Sequence, residues 1–402
     1  MKKFLRGEAK PEKDVRRYRL RTVVLTAVVT VILTVAAFTG IFALYAGKTG
    51  LSVLEATVLI QTKFVGDYKA DDVSDAALSA MVKSLNDRWS YYLDQKDFEA
   101  AKETRSNSYA GIGVTISQDE QNGIKIIDVA KDGPADQAGL KVGEIIRGVE
   151  GTDITEDNKS DCIDKIRGKA GTNVTLKIEG TDGTLRTVEV ARQTVEVEPV
   201  HSKMLNNQVG YVQIENFYAE SSDDMKAAVD TLAKDGAKAL IFDVRNNPGG
   251  YVTELTKMLD YLLPEGKIFI QRDLGGHETV YTSDAAHISL PMAVLVNGDS
   301  YSAAEFFAAE LQEKANAVIA GEPTCGKGFA QETFPLSNGG ALGISTSRYF
   351  TGNGVSLIGT GLIPDPNVKL TDDENILLLM GKLETDKDPQ LQAALKALGY
   401  GT

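Results

Sequence analysis

The sequence predicts an α/β protein with an inserted, β-rich module and a single N-terminal helix long enough to cross a membrane. Three observations lead there. The stretch from Thr22 to Ala46 holds neither a charged side chain nor a proline. From Ser108 onward, short runs alternate apolar and polar residues, the period-two pattern of half-buried strands. From about residue 205, apolar strands and amphipathic helices follow one another, which implies a mainly parallel or mixed sheet flanked by helices.

The bulk numbers bound this reading. With 402 residues, 43% hydrophobic and 25% charged, the chain suits two or three domains with a sizeable core. A disordered chain, a collagen-like repeat and a disulfide-stapled mini-protein are excluded. The net charge of −13 argues against a nucleic-acid partner, which needs a basic surface. The charge is also uneven. Residues 1–21 carry nine Lys or Arg and three acids, residues 22–47 carry none, and the remainder is strongly acidic.

At ~1.5 Å per residue the uncharged run makes a helix of roughly 37 Å, enough for a hydrocarbon core of ~30 Å. The basic cluster ahead of it places residues 1–21 in the cytoplasm, 22–47 in the membrane and the rest outside. The chain is thus expected in the cell membrane as a single-pass protein. A cleaved signal peptide fits less well: its apolar region is shorter, and Leu44-Tyr45-Ala46 is a poor cleavage site.

Residues 48–104 read as helical. They include the sole tryptophan, in Leu85–Asp94, a segment suited to an aromatic core patch or a dimer contact, so a homodimer is left open. Residues 105–195 form the β-rich module. Ile112, Val114 and Ile116 alternate, Gln121-Asn122-Gly123 makes a turn, and Ile124, Ile126 and Val129 follow. A short helix in Gly133–Leu140, a helix over 158–167 and strands near 174–178 and 185–190 complete it. Cys162 and Cys325 each stand alone, so no metal site, and no cofactor, is expected. Cys162 reads as a small buried residue, and a disulfide between the two is not expected.

Residues 196–370 carry the alternating strands and helices. Residues 371–402 end in a helix with Asp388 as N-cap, Pro389 at its first position and Gly399 as its stop.

Three glycine-bearing segments of the 196–370 region can carry chemistry. Asp243-Val244-Arg245-Asn246-Asn247-Pro248-Gly249-Gly250 follows a buried strand, and its glycines let backbone N–H groups converge on an anion; alone it also reads as a plain turn. In Val296–Glu305 a strand runs through a tight turn into a serine that opens a helix. That placement aims N–H groups and the helix dipole at developing negative charge, although an N-cap serine looks the same. Gly321-Glu322-Pro323-Thr324-Cys325-Gly326-Lys327-Gly328 nearly matches a nucleotide-binding loop, but Gly328 stands where a magnesium-binding hydroxyl is needed. The lysine therefore needs another role. A buried, neutral lysine can serve as general base to a serine. With three histidines (His201, His277, His287) in unremarkable segments, Ser–Lys is more economical than Ser–His–Asp.

Two resemblances join here. Tyr109-Ala110-Gly111-Ile112-Gly113-Val114 with Gly133–Gly151 resembles a PDZ domain, which binds peptides by strand addition and presents loop N–H groups to a terminal carboxylate. The three segments behind it resemble the carboxyl-terminal processing peptidases, or tail-specific proteases, over roughly residues 60–370. Ser347–Thr351 and Gly359–Asp365 extend the likeness. The resemblance implies a crotonase- and ClpP-like core with Ser302 as nucleophile, Lys327 as base and Gln331 orienting the lysine. It also implies an oxyanion hole from Gly249 or Gly250 with Ala303. Gly111, Ile112 and Gly113 would bind the substrate's tail carboxylate, and Arg167 would couple PDZ position to activity. The implied partners are proteins or peptides with accessible C-termini. One departure is Tyr301, which is bulkier than the family's usual residue beside the nucleophile. The rival expectations are an inactive membrane-anchored PDZ scaffold and a Ser–His hydrolase.

Overall fold

A computed structural model describes residues 12–205 and 208–401. Most of the expected basic tail thus lies outside the described residues. The chain divides into two compact units, one ending at Val73 and one beginning at Ser74.

In the first unit, α1 (Glu12–Lys63) is broken at Gly47, whose φ of 58° and ψ of −167° are not helical. The span Leu20–Ile41 within it is long and apolar enough to cross a membrane and exposes its side chains throughout. Leucine, valine and isoleucine exposed all round a helix fit lipid as solvent and not a protein core. A second helix, α2 (Ala70–Lys83), straddles the division.

The second unit opens with β1 (Tyr91–Leu93) and α3 (Gln95–Arg105), the latter capped by Asp94, which accepts from the Asp97 N–H at 2.8 Å. The helical expectation for 48–104 is thereby corrected at Tyr91–Leu93. This segment is drawn into a sheet by pairing with a distant strand, a long-range effect that local pattern does not encode.

The β-rich module comprises β2 (Ser108–Gly111), β3 (Val114–Ser117), β4 (Ile124–Val129), α4 (Pro134–Gln137), β5 (Ile145–Val149), β6 (Thr152–Asp153), α5 (Lys159–Ile166), β7 (Asn173–Glu179), β8 (Leu185–Ala191) and β9 (Gln193–Glu196). Strands β3-β4-β5-β7-β8 form its sheet in that order. Ile112, Ile124, Ile126, Ile146, Leu176 and Ile178 bury under α5, which contributes Cys162 and Ile166. The module joins the rest through a two-stranded neck, β2 antiparallel to β9, with Tyr109 opposite Val195.

Beyond the neck come β10 (Val200–Met204), β11 (Val209–Ile214), α6 (Ser221–Lys234), β12 (Ala239–Asp243), α7 (Val252–Leu262), β13 (Gly266–Asp273), β14 (Glu278–Ser283), β15 (Met292–Val296), α8 (Ala303–Ala315), β16 (Val318–Gly321), β17 (Phe329–Pro335), β18 (Ala341–Phe350), α9 (Asp372–Leu379) and α10 (Pro389–Ala397). The central sheet runs β10-β11-β12-β15-β16, parallel except for β10. β12 and β15 are buried on both faces, which explains their uninterrupted apolar runs. Leu240 and Phe242 face the helix side, while Ala239 and Ile241 meet Leu391, Ala394 and Leu395 of α10.

A second, antiparallel sheet, β1-β18-β13-β14 with β17 also on β18, has no counterpart in the sequence reading. Helix α8 lies between the two sheets. Phe307 packs on Phe217 and Phe242 at centroid separations of 5.6 and 5.4 Å, while Phe306 packs on Phe269 and Tyr349 of the antiparallel sheet at 5.3 and 5.6 Å. Its first nine residues are buried, and Glu305 in its first turn accepts from the Gly326 and Lys327 N–H groups of the loop that follows β16.

Candidate active site

The turn after β15 separates its two serines by role. Ser300 is fully buried; its hydroxyl donates to the Val244 carbonyl at 2.7 Å and accepts from the Asn297 N–H at 3.0 Å. It stitches the turn to the end of β12. Asn297 completes the stitch: its Oδ1 accepts from the Asn246 N–H at 2.9 Å, and its Nδ2 donates to Asn246 Oδ1 at 2.8 Å. Ser302 has φ 59° and ψ −122°, a conformation that costs a non-glycine residue about 1–3 kcal/mol. A strand, a sharp turn and a strained serine at a helix start is the logic of a nucleophile elbow, without its glycine pattern.

Glu305 fixes this arrangement. It is completely buried, yet its carboxylate accepts four hydrogen bonds. Oε1 takes the Thr324 hydroxyl at 2.6 Å and the Gly326 N–H at 2.7 Å. Oε2 takes the Lys327 N–H at 2.8 Å and the Ser302 N–H at 2.9 Å. One carboxylate therefore ties the backbone of Ser302 to the backbone of Lys327. Burial pushes its pKa up, against the pull of these four donors. Glu305 is only weakly marked in the sequence. The signal was present in the serine-x-x-glutamate spacing of a capping box.

The Lys327 ammonium is turned toward aromatic rings. Its Nζ lies 4.8 Å from the centroid of Trp89 and 5.6 Å from that of Tyr301. Burial lowers the lysine's pKa. Among the described residues no hydrogen bond joins Lys327 to Ser302. Gln331, on β17, donates instead to the Phe329 carbonyl and the Ser345 hydroxyl, both at 3.1 Å. Trp89, expected in a core patch or dimer contact, lines this site instead, and the Arg88 guanidinium lies 4.1 Å from the centroid of its ring. Nothing local in the sequence marks that role.

The glycine turn adjoins the serine. A Cβ on Gly249 would come within 2.9 Å of both the Ala303 nitrogen and Ser302 Cβ, and one on Gly250 within 2.2 Å of the Phe217 carbonyl oxygen. Both have positive φ, so glycine is required twice over. The Gly249 N–H donates to Asn247 Oδ1 at 2.8 Å. The N–H groups of Gly250 and Ala303 have no partner among the described residues. This turn is anchored by Arg245, which pairs with Asp243 and with Asp388 at 2.7 Å and donates to Gln390 Oε1 at 2.9 Å, linking it to α10.

In the β-rich module, Gly111 pairs with Gln193, while the N–H groups of Ile112 and Gly113 have no partner among the described residues. Arg167 closes α5, with its guanidinium 5.8 Å from the Tyr109 ring. His201, His277 and His287 are exposed, and none hydrogen-bonds to Ser302. Cys162 and Cys325 are both free thiols.

Known proteins match over these regions. Residues 208–368 match peptidase family S41 and residues 99–179 match the PDZ domain. The carboxy-terminal processing protease CtpA of Bacillus subtilis is 31% identical over 396 residues, covering 94% of this chain and 84% of its own. A protein of Staphylococcus saprophyticus named "Probable CtpA-like serine protease" is 28% identical, over 85% of this chain and 71% of its own. A solved S41-type structure from Bacteroides fragilis shares the fold at 19% identity and a TM-score of 0.52, covering 85% of this chain and 96% of that one. A peptidase S41 region and a PDZ module thus occur in one chain that aligns with a named relative over nearly its whole length: the chain belongs to the carboxy-terminal processing proteases, serine-type enzymes of peptidase family S41.

Proposed function

We propose that this protein is a membrane-anchored endopeptidase that captures protein tails through its PDZ module and cuts them by a Ser302–Lys327 mechanism outside the cytoplasm. The observation that carries the reading is the double tether at Glu305, which holds the strained serine and the lysine loop in one rigid frame. Neutral Lys327 takes the Ser302 proton, and the serine oxygen attacks a peptide carbonyl. The unpartnered N–H groups of Gly250 and Ala303 receive the oxyanion. Of the two glycines considered, Gly250 suits the task, because the Gly249 N–H is already held by Asn247. Lys327 then protonates the leaving amine and water releases the acyl group.

Lys327 resting on Trp89 and Tyr301 supports a resting state from which the lysine must swing to reach Ser302 and Gln331. The free N–H groups of Ile112 and Gly113 suit a terminal carboxylate, and the neck of β2 and β9 suits a hinge through which Arg167 transmits PDZ position. The exposed apolar span Leu20–Ile41 supports an uncleaved anchor, with its basic flank inside.

The test is cleavage of a reporter with an unstructured C-terminal tail by the full chain in detergent micelles. Ser302→Ala and Lys327→Ala are each expected to lower kcat/KM by ~1000-fold or more. Unchanged cleavage by Ser302→Ala would refute the assignment.

A further inference from the structure

The last residue of α3, Arg105, is half-buried beside the proposed catalytic groove. Its Nη2 donates to the Tyr91 hydroxyl at 2.7 Å and its Nη1 to the Thr333 hydroxyl at 3.3 Å. Those two hydroxyls are 3.1 Å apart, so three side chains from α3, β1 and β17 close one triangle. Thr333 lies on the strand that begins two residues after Lys327. The Arg105 carbonyl accepts from the Ala219 N–H at 3.2 Å, next to Tyr218, whose ring lies 6.1 Å from that of Tyr251, and Tyr251 directly follows the Gly249-Gly250 turn. Burial chiefly, and the Arg105 charge in addition, lower the Lys327 pKa.

Arg105 takes part in no ion pair among the described residues, in a chain with 56 acids against 43 bases. Its neutral hydroxyl partners use two of five guanidinium donors. A partly desolvated guanidinium held by hydroxyls alone, its remaining donors free, is a planar fork shaped for a carboxylate. Arg245 shows the contrast: more deeply buried than Arg105, it has a structural task and is paired with both Asp243 and Asp388.

We infer that Arg105, held by Tyr91 and Thr333, binds an acidic side chain of the substrate beside the scissile bond. This rests on the Ser302–Lys327 reading, under which the chain terminus is already assigned to the PDZ loop. It gives the groove a preference for Asp or Glu at one subsite flanked by Tyr218 and Tyr251, independent of the tail signal.

The test uses the full chain in detergent with peptides that share one free C-terminal tail, so the PDZ contribution is constant. Glu and Gln are exchanged at each of four positions on either side of the cut. For wild type, one position is expected to favour Glu by about ten- to a hundredfold in kcat/KM, mostly through KM. Arg105→Gln is expected to bring that ratio to about one, and Arg105→Lys to retain part of it. Absence of a Glu preference in wild type overturns the inference whether or not the variants fold. So does an Arg105→Gln that weakens Glu and Gln peptides equally or merely shifts the pH profile. Failure of the underlying reading looks different: no peptide is cut, or Ser302→Ala cuts as well as wild type.

Discussion

Ser300 commits its hydroxyl to Val244 and Asn297, while Ser302, two residues on, sits strained at a helix start with the Ala303 N–H open beside it. Sequence pattern alone leaves two serines in one turn; the family resemblance points to Ser302, and the hydrogen bonds give a physical reason. Trp89, Arg105 and Glu305 illustrate the opposite limit. Their places depend on contacts across 200 or so residues, or on a buried carboxylate whose partners lie on another loop, and no local periodicity records either. Two predictions belong to this scale. Burial lowers the Lys327 pKa, and only the neutral amine accepts a proton. Activity should therefore rise with pH along a limb whose midpoint lies below the ordinary ~10.4 of lysine. Lys327→Arg, which stays protonated, should be inactive across that range in a kcat/KM profile. Glu305→Gln should weaken both tethers, since an amide offers one acceptor where four donors converge. A loss of about 2–5 kcal/mol in denaturant unfolding, with kcat falling more than KM rises, is expected; unchanged stability would remove Glu305 from this role.

At the scale of elements, legibility follows burial. β11, β12 and β15 announce themselves because strands covered on both faces are apolar without interruption. α6, α7 and α10 announce themselves through one apolar stripe each. The antiparallel sheet of β13, β14, β17 and β18 did not, since its strands are mixed in polarity and owe their pairing to partners far along the chain. Helix α8 was legible as a helix but not as a wedge between two sheets. Its enclosure has a further consequence at Glu310 and Glu313, one turn apart, each with a buried Oε2 that lacks a hydrogen-bond partner. Burial, with the Glu313 charge adding to it, pushes the Glu310 pKa up to about 8. A raised carboxyl pKa means that the folded state holds its proton more tightly than the unfolded chain. Stability contributed by this site is then present at low pH and lost as pH rises through about 8. Glu310→Gln should flatten that slope and raise Tm at pH 8 by a few degrees, roughly 1 kcal/mol or more. A variant less stable than wild type at pH 8 would contradict it.

Across the whole molecule, a PDZ module on a two-stranded neck joins a core whose serine and lysine loops share one carboxylate. The neck passes Asn107 and Val197, whose backbones are hydrogen-bonded at 2.8 Å, close to Arg105 at the end of α3. On the proposed function, tail capture and groove occupancy therefore meet within a few residues. Under the proposed orientation the acidic body lies outside, so protease added to intact cells should digest it and spare the basic tail; protection of the body would reverse the orientation. The central claim is that Ser302 is the nucleophile and Lys327 its base. The most direct measurement is mass spectrometry of the full chain after reaction with a fluorophosphonate, with pH held constant. One adduct is expected, on Ser302, strongly slowed in Lys327→Ala and unaffected by replacing His201, His277 and His287 together. An adduct on another residue, or equally fast labelling of Ser302 without Lys327, would contradict it.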